Sequence, residues 1–96
     1  MYAVVRRYQD VKPDVLAEIE RRRDEVESLM LRVPGLITYH MIRTPGGLTS
    51  VTVCEDQDGA EESNNRVASW IREHMPTFLP NPPEISGGEV VFTTGR

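Results

Sequence analysis

The stretch that decides the fold is LITYHMIRTPGGLTSVTVCED, residues 36–56. Two runs of apolar, aromatic and β-branched residues flank Pro45-Gly46-Gly47, a composition typical of two strands joined by a tight turn. We predict a three-residue hairpin loop with a glycine in the left-handed conformation, so that Thr44 pairs with Leu48. The register matters because a shift of one residue moves every side chain of a strand to the other face of the sheet.

The predicted register separates the hairpin into an apolar face and a polar face. The apolar face would hold Ile37, Tyr39, Met41, Val51 and Val53. The polar face would hold Thr38, His40, Thr44, Ser50, Thr52 and Cys54. We expect the apolar face to pack on helices. The polar face carries hydroxyls, an imidazole and a thiol, so we expect it to line a semi-enclosed cleft that a second subunit covers.

The rest of the chain supplies two helices and two more strands. Residues 2–8 read as a strand, on which Ala3 and Val5 are predicted to face the helices and Tyr2, Arg6 and Tyr8 to join the polar face. One helix is predicted from Lys12-Pro13-Asp14 to Val33, and a second from a capping box at residues 58–61 to Met75. Residues 76–88 form a proline-rich connector, and residues 89–94 a closing strand.

This order predicts an α+β fold of the ferredoxin-like βαββαβ type. Such a fold has a four-stranded antiparallel sheet with two helices on one face. A chain of 96 residues has room for one core. We therefore predict a single ferredoxin-like domain over residues 1–96.

Composition argues against several classes of partner. The formal net charge is −4, and no basic stripe interleaves with aromatic residues, so we expect no nucleic acid partner. The single cysteine, Cys54, cannot form an internal disulfide, and no His or Cys set has metal-binding spacing. No window approaches the roughly 20 apolar residues of a membrane span. We expect no membrane partner and a cytoplasmic location.

Four segments carry a resemblance to a known family: MYAVVRRY (residues 1–8), VPGLITYHMIRT (33–44), SVTVCED (50–56) and EESNNRVASWIREHMP (61–76). In these segments and in the order of its elements, the chain is similar to the dimeric α+β-barrel superfamily, specifically its antibiotic biosynthesis monooxygenase-like branch. The resemblance implies a homodimer in which two ferredoxin-like subunits put their open sheet faces together as a barrel. It also implies a pocket within the barrel or between sheet and helices.

The resemblance leaves the chemistry open. Relatives oxidise polycyclic phenols without a cofactor, degrade haem, or isomerise or bind small molecules. The haem-degrading branch carries an Asn on the first strand, together with a Trp and a ligand His in the second half. Here the first strand carries Arg6 and Arg7, and Trp70 and His74 lie one helical turn apart. We therefore expect no haem and no other cofactor.

His40 is the candidate catalytic residue. In a cofactor-free oxygenation a base ionises an activated phenol, and the resulting carbanion passes an electron to oxygen. Histidine in a covered cleft suits that role near neutral pH. The alternative is a strand histidine hydrogen-bonded to a threonine or to the partner subunit.

Four residues are candidates for substrate binding: Arg6, Asn64, Trp70 and His74. The donors of Arg6 would hold an anionic ligand, or would pair with a carboxylate. Asn64 falls on the apolar stripe of the second helix, where a buried amide needs a partner, and a ligand is one candidate. Trp70 and His74 are neighbours on that helix, and the indole would form a flat wall of a pocket or ordinary packing.

Two functions are compatible with these residues. The first is a protein that binds a small aromatic molecule and acts on it as a cofactor-independent monooxygenase of phenolic compounds. The alternative is a non-catalytic ligand-binding or stress-response module whose sheet face serves dimerisation.

Overall fold

The structure, a computed structural model, describes residues 1–75 and 82–95. The elements in these residues are β1 (Tyr2–Gln9), α1 (Pro13–Arg21), α2 (Arg23–Leu31), β2 (Leu36–Thr44), β3 (Gly47–Cys54), α3 (Gln57–His74) and β4 (Glu84–Glu89). The strands form one antiparallel sheet in the order β2-β3-β1-β4. The predicted ferredoxin-like α+β fold is confirmed.

The first predicted helix is interrupted at Arg22, which separates α1 from α2. Arg22 has φ −95° and ψ 20°, outside the helical region. Its guanidinium spans the interruption, with Nε 3.0 Å from a carboxylate oxygen of Glu18 and Nη1 3.7 Å from one of Glu25. Arg21 also pairs with Glu18, at 2.8 Å. The charged surface therefore neutralises itself across two helices instead of along one.

The β2–β3 hairpin closes with the two-residue loop Pro45-Gly46, so the predicted three-residue loop is wrong. Thr44 pairs with Gly47, and Gly46 has φ +73°. This combination fits a type II turn, in which proline precedes a residue of positive φ. Because the loop is one residue shorter than predicted, β3 turns its other set of side chains toward the helices. Those buried side chains are Leu48, Ser50, Thr52 and Cys54.

β1 is also reversed relative to the prediction. Val4, Arg6 and Tyr8 are buried beneath the helices, whereas Ala3 and Val5 lie on the opposite side of the sheet, which we call the open face. The pairing agrees, because directly opposed residues share a face. Arg6 is opposite Ser50, and both are buried. His40 is opposite Val51 and is exposed on the open face.

Two clusters of buried side chains hold the helices on the sheet. The first is Val4, Val26, Met30, Val33, Cys54, Ala60 and Val67. The second is Tyr8, Val11, Ile19 and Leu48. Arg6 stands on β1 between Val4 of one cluster and Tyr8 of the other. A charged side chain therefore occupies the middle of the buried face.

The second predicted helix, α3, begins two residues earlier than expected. Asp56 is its N-cap, and its Oδ1 accepts a hydrogen bond of 2.9 Å from the Gly59 amide. The predicted capping box at residues 58–61 is therefore wrong, although the predicted end near Met75 is confirmed.

The last strand is Glu84–Glu89 and not the predicted residues 89–94. Gly87 favours pairing of this segment with β1, because a Cβ at residue 87 would come within 3.2 Å of the Ala3 carbonyl oxygen and of the Tyr2 and Val4 side chains. The sequence after it contributes no strand among the described residues, and Val91 and Phe92 are 94% and 79% exposed. Residues 76–81 of the predicted connector lie outside the described residues.

Within the described part of the chain, no helix combines the length and apolar character needed to cross a membrane.

Gly47→Ala tests the register of the hairpin. A Cβ at Gly47 would overlap the Tyr8 carbonyl oxygen of the adjacent strand. We expect chemical denaturation to show a loss of about 1–3 kcal/mol in the free energy of unfolding, as for other overpacked buried sites. Gly88→Ala is the matched control, since a Cβ there meets nothing within 4 Å. Its effect should stay within about 0.5 kcal/mol. Equal losses in the two variants would contradict the two-residue loop.

Candidate functional site

A cavity lies between the sheet and the helices, and we call it the inner cavity. Its volume is about 40 Å³. Its floor is formed by Arg6, Tyr8, Tyr39 and Ser50 of the sheet, and its roof by apolar side chains of all three helices. The space is large enough for a few water molecules or for one small polar group of a ligand.

A larger depression lies at the surface beside α1, α2 and β2, and we call it the outer cleft. Its volume is about 380 Å³. The two spaces share the wall residues Ile19, Val26, Met41 and Leu48. At the surface, Arg43 forms an ion pair with Glu20, and both side chains line the outer cleft.

Arg6 is the charged group of that floor. Strand alternation between Val4 and Tyr8 directs it under the helices, where it is only 2% exposed. Its Nη1 donates a hydrogen bond of 3.0 Å to Oδ1 of Asn64 on α3. Its Nε and Nη2 make no hydrogen bond of normal geometry with the described residues, although the Tyr39 hydroxyl lies close enough to the guanidinium to interact with it. None of residues 76–81, PTFLPN, carries a carboxylate.

The two unpartnered nitrogens form one edge of the guanidinium. Nε and Nη2 present parallel N–H groups, the arrangement that binds a carboxylate through two hydrogen bonds. Burying a positive charge without a counter-ion is costly, because the protein interior replaces water poorly as a solvent for charge. The buried Arg6 guanidinium therefore destabilises the folded state.

Two tyrosines and a serine surround the guanidinium. Burial raises the pKa of the Tyr8 phenol, and the positive charge of Arg6 opposes part of that shift. Burial likewise raises the pKa of the Tyr39 phenol, while Arg6 and Ser50 act in the opposite direction. Tyr39 is close enough to Ser50 to be affected by it, yet Ser50 Oγ makes no hydrogen bond of normal geometry. Both phenols keep their protons at neutral pH and offer hydroxyl groups to the cavity.

The structure brings together three of the predicted site residues. Arg6 and Trp70 line the inner cavity, and Asn64 lies behind Arg6, where it accepts the hydrogen bond from Nη1. His74 lies outside this wall. Its ring centroid is 5.2 Å from that of Trp70 at a tilt of 41°, and its side chain is exposed. His74 therefore packs on the outer side of Trp70, and its role in binding stays a prediction.

His40 and Arg6 do not share a face, contrary to the predicted polar cleft. Arg6 points toward the helices, and His40 lies on the open face. Thr52 and Cys54, also predicted to line that cleft, are buried beneath the helices, where desolvation raises the pKa of the Cys54 thiol. His40 cannot contact a ligand held by Arg6 of the same chain. Its proposed role as a base is not tested by this arrangement.

Tyr8, Tyr39 and Ser50 are the site residues that the sequence analysis missed. Tyr39 was placed on the helix face but taken as plain packing, and the other two were assigned to the wrong face. A sequence signal existed in the spacing of Val4, Arg6 and Tyr8, since alternation puts a charge between two core positions. Without knowledge of the strand register, the same spacing was equally compatible with Arg6 and Tyr8 on the open face.

A haem with a histidine ligand does not fit the inner cavity. The chain has two histidines, and neither His40 nor His74 lines it. Arg6 also fills the middle of the floor. Within residues 1–75 and 82–95, no group of three or more His, Cys, Asp or Glu side chains is arranged to hold a metal ion.

Arg6→Met tests whether the guanidinium is an unpaired buried charge. Methionine fills a similar volume without charge, so we expect the ligand-free protein to gain about 1–2 kcal/mol in the free energy of unfolding. Denaturation in a buffer free of organic acids measures the change. Arg72→Met, on the exposed surface of α3, should stay within about 0.5 kcal/mol of the wild type. A loss of several kcal/mol for Arg6→Met would mean that an acidic partner holds the guanidinium.

Solved structures with the same fold have low sequence identity to this chain. A protein from Nitrosomonas europaea, provisionally named antibiotic biosynthesis monooxygenase, matches with a TM-score of 0.75 at 13% identity, over 96% of this chain and 100% of that one. A monooxygenase from the gene ActVA-Orf6 of Streptomyces coelicolor, in complex with nanaomycin D, gives 0.73 at 14% identity over 99% and 91%. A variant of MhuD with two manganese protoporphyrin IX molecules bound per active site gives 0.75 at 15% identity over the whole of both chains.

No protein-family model matches the sequence, and no curated protein matches it. At these identities the structural likeness concerns the fold, and function has to be argued from the site. The resemblance predicted from the sequence is confirmed at that level. The chain shares its ferredoxin-like α+β fold with these structures, among them the Nitrosomonas europaea protein that bears the antibiotic biosynthesis monooxygenase name.

Proposed function

We propose that the protein binds a small, flat, largely apolar molecule in the space formed by the inner cavity and the outer cleft. The observation that carries this proposal is the buried Arg6 guanidinium, which lines a largely apolar cavity and whose Nε and Nη2 make no hydrogen bond of normal geometry with the described residues. A polar atom of the ligand would take those donors. The Streptomyces coelicolor relative supports this type of ligand, since it was determined in complex with nanaomycin D.

The dimensions of the two spaces fit such a ligand. Small-molecule sites have volumes of roughly 300–1,000 Å³ and apolar walls with a few polar groups. The outer cleft alone reaches the lower part of that range at about 380 Å³. Its shared wall with the inner cavity is made of Ile19, Val26, Met41 and Leu48, which suit a ring system. The polar floor then orients the ligand through one end.

The reaction that we propose for this site is cofactor-independent oxygenation of an aromatic or phenolic compound. Such a reaction starts when a phenol or its tautomer loses a proton to solvent water. The anion then transfers one electron to O2, and the radical pair combines to a hydroperoxide that loses water to give a quinone. Arg6 would favour the ionised form, since a nearby opposite charge lowers the pKa of an acid in a poorly solvated site. The Tyr8 and Tyr39 hydroxyls would hold the substrate oxygen. His40 would act as a base only for a ligand that binds on the open face.

The alternative proposal is a non-catalytic binding or stress-response module. In either case we propose a cytoplasmic homodimer that forms through the open face. Ile42, which is 43% exposed, lies on this face with Val5, Val51 and Val53. A second copy of the chain would cover these apolar side chains and His40 together.

Oxygen uptake distinguishes the two proposals. With anthrone as the probe, the catalytic proposal predicts that the wild type accelerates oxygen consumption at least tenfold over buffer, as measured with an oxygen electrode. Arg6→Met should lose this acceleration, and Arg72→Met, on the exposed surface of α3, should retain it. Saturable quenching of Trp70 fluorescence by anthrone without oxygen uptake would favour the binding module. Neither quenching nor uptake would contradict the proposed function.

The dimer is tested by two matched charge insertions. Ile42→Glu places a carboxylate on the open face, whereas Leu31→Glu places one on an exposed position of α2, where the leucine is 70% exposed. Light scattering should give the mass of two chains for the wild type and for Leu31→Glu, and of one chain for Ile42→Glu. A wild type with the mass of one 10.9 kDa chain at micromolar concentration would contradict the homodimer.

A further inference from the structure

We infer that the ligand of this site is a carboxylic acid, bound as its anion with both carboxylate oxygens on the Nε–Nη2 edge of Arg6. The inference rests on the proposed function, in that it assigns a chemical class to the small molecule in the same cavity. It also requires a negative charge on the ligand, a property that the names of the structurally similar proteins do not state.

The charge of the site is the first reason. Arg6 is 2% exposed, and its protein partner is the neutral amide of Asn64. The other side chains of the floor, Tyr8, Tyr39 and Ser50, are uncharged, because burial keeps the phenols protonated by raising their pKa. A neutral ligand such as a quinone would satisfy hydrogen bonds but leave the buried charge uncompensated. An anion satisfies both.

The orientation of the guanidinium is the second reason. Asn64 takes Nη1 and so fixes the plane of the group from α3. The free edge carries Nε and Nη2, whose N–H bonds run parallel. Two parallel donors match two oxygens in one plane, which is the geometry of a carboxylate. A single phenolate oxygen would use this edge only in part.

The shape of the space is the third reason. The inner cavity, at about 40 Å³, takes a group of the size of a carboxylate but not a ring. The apolar remainder of the ligand would lie in the outer cleft, which shares the wall residues Met41 and Ile19 with the inner cavity. Ser50 Oγ, the other buried polar atom without a partner, adds a donor near the same floor. The site therefore separates a charged head from an apolar body.

The test compares each acid with its own amide. The probes are benzoate and benzamide, phenylacetate and phenylacetamide, and 2-naphthoate and 2-naphthamide, which match in shape and differ in charge. Trp70 is the only tryptophan of the chain and lines the inner cavity, so its fluorescence reports on this site directly. Isothermal titration calorimetry gives the dissociation constants independently. We expect at least one acid to bind the wild type tenfold or more tightly than its amide.

Variants of Arg6 separate charge from geometry. Arg6→Gln should abolish the preference for the acid, while Arg6→Lys should reduce it, because the charge remains and the two-donor edge is lost. Arg72→Gln on the exposed surface of α3 is the control and should keep the full preference. The comparison of acid and amide on the wild type needs no variant and holds even if Arg6→Gln fails to fold.

The outcomes also separate this inference from the proposed function. Equal affinity for an acid and its amide in every pair that binds would overturn the carboxylate but leave a small-molecule site. A preference for the acid that persists in Arg6→Gln and disappears in Arg72→Gln would move the anion to another surface and overturn the inference. Binding of no member of any pair would overturn the inference and count against the proposed function as well.

Discussion

The arrangement of this protein depends on one costly feature, a guanidinium buried between two apolar clusters with no carboxylate beside it among the described residues. Arg6 occupies the position on β1 where a core side chain would stabilise the fold. Asn64 accepts a hydrogen bond from its Nη1, and the Arg6 side chain lines the inner cavity. Proteins retain destabilising groups of this kind mainly at sites that bind or react. The other features of the site, a protonated tyrosine pair and an apolar entrance, are arranged around that charge.

The position of Arg6 is in turn set by backbone geometry far from it. Pro45-Gly46 turns the chain in two residues, and Gly47 then lies directly against the β1 backbone. These contacts fix the register of β3 against β1 and thereby bring Ser50 opposite Arg6. A loop one residue longer would place both on the open face. The chemistry of the site thus depends on the length of a turn.

Element order, fold class and the face of β2 from Thr38 onward were predictable from the sequence because they rest on long patterns. Ile37, predicted to face the helices, lies at a β-bulge between Leu36 and Thr38 and is 44% exposed. The faces of β1 and β3 were not predictable, since the three-residue loop was as plausible as the two-residue loop and the error propagates through every paired residue. The last strand was missed because residues 89–94 have the stronger β propensity, whereas the strand forms where Gly87 allows close approach to β1. Asn64 was correctly expected to point inward, but its partner on β1 required tertiary structure.

A high-resolution crystal structure of the protein with 2-naphthoate is the most direct test of the account. We expect the Arg6 guanidinium beneath the helices, hydrogen-bonded through Nη1 to Asn64 and through Nε and Nη2 to the two carboxylate oxygens. A carboxylate of the protein itself on that edge, or an Arg6 side chain on the open face, would contradict the central claim.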